Sequence, residues 1–143
     1  MKANVLAILT ISTLSLFTLP ARAGDAAYPE ARDILSTGRS VVDEPIQYPA
    51  DGPAHVTASI VTIPPGTETA WHQHGVPLFA YILSGTLSVD YGAKGRRSYH
   101  PGDAFMEAMA VTHRGVNAGG EPVRILAVYM GAEGAANVVI PPH

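Results

Sequence analysis

Turn residues cut this chain into pieces too short for helices of ordinary length. Of its 14 glycines and 12 prolines, 12 and 10 lie from Pro45 onward, at short intervals. Between them lie short runs rich in Val, Ile, Thr, Tyr and Phe, the residues that favour strands. "AHVTASIVTI" (54–63) alternates, with Val56, Ala58 and Ile60 on one face, and "PPG" (64–66) ends it. "LFAYILSG" (78–85) and "TLSVDYG" (86–92) read as two strands joined at Ser84-Gly85, the signal of a tight hairpin. "AKG" (93–95) is a turn, "RRSYHPGD" (96–103) a polar strand entering another, and "AFMEAMAVTHRGVN" (104–117) a strand, turn and strand. After the loop "AGGEP" (118–122) comes "VRILAVYMG" (123–131), the most apolar run of the mature chain. Only Pro29 to Leu35 has room for a helical turn. Many short strands at regular spacing predict an all-β sandwich or barrel. No internal repeat or second domain is visible.

The first residues are of another kind. Lys2 gives a positive start, Val5 to Leu19 is mostly apolar, and Ala21-Arg22-Ala23 has the small-x-small pattern of a cleavage site. Thr10, Ser12, Thr13 and Ser15 interrupt the apolar run, which is shorter than the ~20 residues of a spanning helix. Residues 1–23 are therefore expected to be a signal peptide, residues 24–38 an N-terminal arm, and residues 39–143 a single periplasmic or secreted domain. Loss of Lys2 and Arg22 leaves seven basic residues against 12 acidic ones, a formal charge of −5. With no basic run beyond Arg96-Arg97, the composition argues against nucleic acid and, after signal removal, against a membrane surface. The chain has no cysteine. Thiol nucleophiles and thiolate metal sites are excluded, and any metal must be held by histidine, carboxylate or water.

His72 and His74, in "WHQHG", lie at i and i+2. In a strand that spacing puts both imidazoles on one face, suited to two adjacent ligands of one metal ion. By itself the pair fits a surface strand with two exposed histidines equally well. The surrounding spacing adds to it. Gly66 precedes His72 by six positions, and Gly85 closes the strand that follows. Downstream, "PGDAFMEAMAVTHRGVN" carries Gly102, Asp103, His113 and Asn117.

These two stretches, in this order, resemble the two motifs of the cupin superfamily, and the chain looks like a small single-domain cupin of the cupin-2 type. The resemblance implies a double-stranded β-helix, or jelly-roll barrel, with His72, His74 and His113 converging on one divalent transition metal: Fe, Mn, Ni, Cu or Zn. It also implies a homodimer, since many small cupins pair edge strands, and the segment near 39–48 is the expected edge. Two departures stand out. The motif's glutamate is missing, because Leu78 occupies its position, and Ala108 and Ala110 replace the proline and glycine of the second motif. Glu107, a carboxylate within the apolar run "AFMEAMAV", is the candidate substitute ligand or catalytic group; the other reading is an edge-strand carboxylate facing water.

His55, His100 and His143 read as solvated. Trp71 and Gln73 share a parity that points away from the ligands. Arg114 reads as a surface or interface residue. Glu68 and Tyr81 are placed either beside the site or in ordinary packing. Leu78, Phe79 and Ile82 are the expected apolar lining. Two functions follow: a metal-dependent oxidoreductase or dioxygenase acting on a small molecule, or a non-catalytic periplasmic module that holds a metal or small ligand.

Overall fold

A computed structural model describes residues 30–142. The expected signal peptide, residues 24–29 of the arm and His143 lie outside the described residues. The compact unit begins at Arg32.

Among the described residues, seven strands form two antiparallel sheets. The first is β1 (Ala54–Ile63), β7 (Val123–Ala132), β2 (Leu78–Ser84) and β5 (Ala104–Met106), in the order β1-β7-β2-β5. The second is β4 (Arg96–Tyr99), β3 (Leu87–Asp90) and β6 (Arg114–Val116), in the order β4-β3-β6. A short 3-10 turn at Gly92–Lys94 joins β3 to β4. No α-helix occurs among the described residues. The two sheets form the all-β architecture expected from the turn spacing, with the jelly-roll arrangement that the resemblance implies.

Alternation decides what each strand buries. On β2, Leu78, Ala80 and Ile82 are buried and Leu83 is exposed. The inner positions of β7 are Val123, Ile125, Ala127 and Tyr129, and those of β3 are Leu87 and Val89. The core sits between these faces. On β1 the inward positions are Thr57, Ser59, Val61 and Ile63. The alternating face Val56, Ala58 and Ile60 points outward and is exposed.

Two expectations are corrected. Residues 78–85 and 86–92 do not form a hairpin. β2 pairs with β5 and β7, whereas β3 pairs with β4 and β6, so Gly85 turns the chain from one sheet to the other. Its φ is +74°, and a Cβ there would lie 2.8 Å from the Pro122 carbonyl oxygen and 2.9 Å from Val123 Cα. The glycine is needed for a corner packed against backbone, with no cross-strand pairing. Residues 39–48 are not a strand either. A single bridge joins Arg39 to Pro45, and the turn between them is closed by Ser40 N–H to the Glu44 carbonyl at 2.9 Å. Val42 anchors this turn in the core, and Val41 N–H bonds the Met106 carbonyl at the edge of β5.

Candidate metal centre

His72 and His74 lie in the segment between β1 and β2. Its backbone is paired on both sides. His72 and His113 exchange N–H to carbonyl bonds at 2.9 Å, which brings the third histidine directly opposite the first. Gln73 pairs in the same way with Val139, at 2.8 and 2.9 Å, so the segment 136–139 closes over the other side. Gly75 permits that approach, because a Cβ there would meet the Ala136 carbonyl oxygen at 2.5 Å.

The three rings converge. Their centroids are 5.0 Å apart for His72 and His74, 4.6 Å for His72 and His113, and 5.1 Å for His74 and His113. One nitrogen from each lies within 4.8 Å of those of the others. The second nitrogen of each ring is already engaged. Nδ1 of His72 faces the Ala70 carbonyl at 2.8 Å, Nδ1 of His74 the Asn137 carbonyl at 2.9 Å, and Nδ1 of His113 the Val111 carbonyl at 2.8 Å. A carbonyl only accepts, so each Nδ1 carries the proton and each neutral ring offers a lone pair at Nε2. Burial lowers the pKa of all three, that of His74 to about 4, against the weaker upward pull of these carbonyls. The rings are therefore neutral near pH 7. His113 Nε2 is buried and has no hydrogen-bond partner. Three imidazoles fixed in the ligating tautomer, one with an orphaned lone pair, fit a divalent metal ion.

The three histidines open on a cavity of about 80 Å³ between the sheets. Leu78, Ala80, Phe105, Ile125 and Ala127 give it an apolar wall. Leu78 thus fills with hydrocarbon the position where the resemblance places a glutamate. Glu107 is its hydrogen-bonded neighbour, N–H to the Leu78 carbonyl at 2.9 Å, and its side chain lines the same cavity. The water-facing alternative for Glu107 is corrected, since the residue is 6% exposed. Its Oε1 accepts from Tyr91 Oη at 2.8 Å and from Ala108 N–H at 2.7 Å. Its Oε2 stops 3.9 Å from His113 Nε2, too far for a hydrogen bond. Burial pushes the carboxyl up to about 7, against the pull of the Ala108 and Tyr91 hydrogen bonds. Burial first, then Glu107, raises the Tyr91 phenol, which stays protonated as the donor.

The remaining residues sort by strand parity. Phe79 and Tyr81 point to the outer face of the first sheet, so Phe79 is not part of the cavity wall; Leu78 is, and Ile82 is fully buried in the core. Glu68 pairs with Arg114, whose guanidinium carbon lies 4.8 Å from the Trp71 ring centroid. This group lies outside the cavity wall. Gln73 donates to the Ala110 carbonyl and to Thr112 Oγ1. His55 and His100 are exposed. Sequence reasoning missed Tyr91, although it continues the alternation of Leu87 and Val89 inward. It also missed Glu44, for which no local pattern exists.

A family model for the cupin domain, of the cupin-2 type, matches residues 59–129. The chain belongs to the cupin superfamily. Among solved structures, the formate complex of Lactobacillus farciminis oxalate decarboxylase is similar, with a TM-score of 0.51 and 24% identity over 59% of this chain and 26% of that one. Structures of Bacillus subtilis oxalate decarboxylase follow, with a TM-score of 0.48 and 26% identity over 59% of this chain and 24% of theirs. The cupin described here spans about a quarter of the length of these enzymes. No curated protein sequence matches the chain.

Proposed function

We propose that this cupin binds one divalent transition metal through Nε2 of His72, His74 and His113 and takes a small molecule at the position left open beside it, as an oxidoreductase or dioxygenase. The convergence of three Nε2 lone pairs, each set by a backbone carbonyl at Nδ1, carries the reading. The donor set suits Fe, Mn, Ni, Cu or Zn, and softness alone does not select among them. When bound, such a metal supplies a Lewis acid or redox centre with a free coordination position.

The chain's own residues set what enters. A volume of about 80 Å³ is far below the roughly 300–1,000 Å³ of pockets for larger ligands. It suits a ligand of a few non-hydrogen atoms, such as O₂ or a small organic acid. Among the lining residues there is no arginine or lysine to clamp a second carboxylate, so oxalate is not carried over from the similar structures. Glu107 is the only carboxylate in the lining and is placed to exchange a proton with a bound ligand, while Tyr91 fixes its other oxygen.

A second reading is a metal- or ligand-holding module without turnover. Its support is that Glu107 is the only acid in an otherwise apolar wall.

Metal analysis and titration of metal-free protein test the first reading. One metal per chain is expected, with His113→Ala losing it while its far-ultraviolet circular dichroism matches wild type. Equal metal content in both proteins would refute the three-histidine site. Oxygen uptake by the loaded protein with a panel of small acids and diketones then separates the readings, and no uptake with any metal selects the holding module.

A further inference from the structure

We infer that Glu44 positions the metal-binding histidines by holding the loop between β5 and β6, whose residues 109–111 follow it by 65 to 67 positions. The inference rests on the metal-centre reading for its consequence, metal affinity, but its geometry is independent of any metal.

The Glu44 carboxylate accepts four hydrogen bonds. Met109 N–H reaches Oε2 at 2.8 Å, and Ala110 and Val111 N–H both reach Oε1 at 2.9 Å. Ser40 Oγ donates to Oε2 at 3.1 Å. Three consecutive backbone N–H groups aimed at one carboxylate form an anion nest, and charge-assisted bonds of this kind are stronger than neutral ones.

The same three residues use their carbonyls on the other side. The Met109 carbonyl accepts His74 N–H at 3.1 Å, the Ala110 carbonyl accepts the Gln73 amide, and the Val111 carbonyl fixes His113 Nδ1 at 2.8 Å. Each of the three loop residues that donate to Glu44 therefore also grips the HxH segment or the third ring. The loop has no regular secondary structure of its own, and Ala108 and Ala110 stand where the second motif has a proline and a glycine. Without the proline, which would fix one φ of the loop, an external tether defines the loop's shape. The tether is itself anchored: Val42 is buried in the core, and Val41 N–H bonds the Met106 carbonyl at 2.9 Å. Loss of such an orienting partner typically weakens metal binding by about 10- to 100-fold.

The test uses the full chain and Co(II) as probe, comparing wild type with Glu44→Ala, Glu44→Gln and Arg39→Ala. Arg39→Ala removes an exposed side chain from the same turn and leaves the Glu44 carboxylate and the Val42 anchor in place. Co(II) affinity is expected to fall by roughly tenfold or more in Glu44→Ala, with altered visible absorption bands. Glu44→Gln, which keeps one acceptor oxygen, recovers part of that loss, and Arg39→Ala binds as wild type. Wild-type affinity in Glu44→Ala, or an equal loss in Arg39→Ala, would overturn the inference. Should Glu44→Ala fail to fold, Glu44→Gln against Arg39→Ala decides in the same way. In the metal-free proteins, the Met109, Ala110 and Val111 amides and the His113 ring N–H are expected to exchange roughly tenfold or more faster in the Glu44 variants. Unchanged exchange of the His113 ring proton sinks the positioning role. If wild type binds no Co(II), the metal reading falls, while this exchange measurement still decides the role of Glu44.

Discussion

At the residue scale, the metal-free site sets two opposite titrations against each other. Burial holds His74 down to about 4 from an ordinary 6.5 and pushes Glu107 up to about 7 from 4.5. A depressed histidine leaves the folded state with fewer bound protons than the unfolded one. Its contribution is present above pH 6.5 and is lost as pH falls through 4. His72 and His113, also lowered by burial, act in the same direction. Glu107 acts the other way. Its folded form keeps a proton that the unfolded chain has released, so its contribution is full below pH 4.5 and is lost as pH rises through 7. The Glu107 effect amounts to about 3 kcal/mol at most. Glu107→Gln keeps an oxygen for Tyr91 and Ala108 N–H while removing the charge. Urea unfolding of metal-free Glu107→Gln is expected to show stability rising with pH between 4.5 and 7 more steeply than wild type, and exceeding it at pH 8. Parallel pH curves would mean that Glu107 carries no buried charge. The motif residues that are not histidines have structural tasks legible only in the fold. Asn117, 1% exposed, donates to the Ile63 and Glu121 carbonyls and accepts Gly119 N–H, tying the end of β1 to the loop before β7. Its spacing to His113 was visible in the sequence, whereas its distant partner, the Ile63 carbonyl, was not.

At the scale of elements, periodicity located the strands well but did not say which sheet each joins. "LFAYILSG" and "TLSVDYG" are strands, as their composition requires, yet Gly85 sends the second into the opposite layer. A glycine at a strand end permits either a hairpin or a corner, and only the packing of Pro122 and Val123 against it decides. The alternation of β1 holds, but it does not say which face turns inward. β7 is apolar on both faces, so β1 gains partners on either side and alternation cannot orient it. The corner gives a sharp comparison. Gly85→Ala would force a left-handed φ and drive Cβ into backbone atoms that cannot rotate away. A loss of about 3 kcal/mol is expected. Gly102 has a φ of +95° but nothing within 4 Å of its Cβ position, so Gly102→Ala should lose only about 1 kcal/mol. Calorimetric melting of both variants checks this, and equal losses would show that the corner's packing contributes nothing.

At the scale of the whole molecule, the sheet edges differ in how they are blunted. β5 is three residues long and carries the Val41 N–H bond at Met106. β4 begins with Arg96 and Arg97, whose charges discourage pairing. β6 is three residues long and is continued by bridges from Glu68 to Val116 and from His72 to His113. β1 has none of these devices. It is ten residues long, contains no proline, lysine, arginine or acid, and ends the order β1-β7-β2-β5. Among the described residues nothing pairs with its free edge, and beside that edge Val56 and Ile60 are 62% and 50% exposed. A long, uncharged and apolar edge is a template for another strand. The simplest closed arrangement joins β1 to β1 of a second copy about a two-fold axis, where the same residues meet on both sides and association stops at two. A homodimer is therefore predicted to form through β1, since residues 39–48 supply no strand. Sedimentation at tens of micromolar is expected to show a dimer for wild type and a monomer for Val56→Lys/Ile60→Lys. Both residues point away from the core, so the double variant should keep the wild-type metal affinity. A monomeric wild type, or a double variant that still pairs, would place the contact elsewhere and leave β1 an unprotected edge.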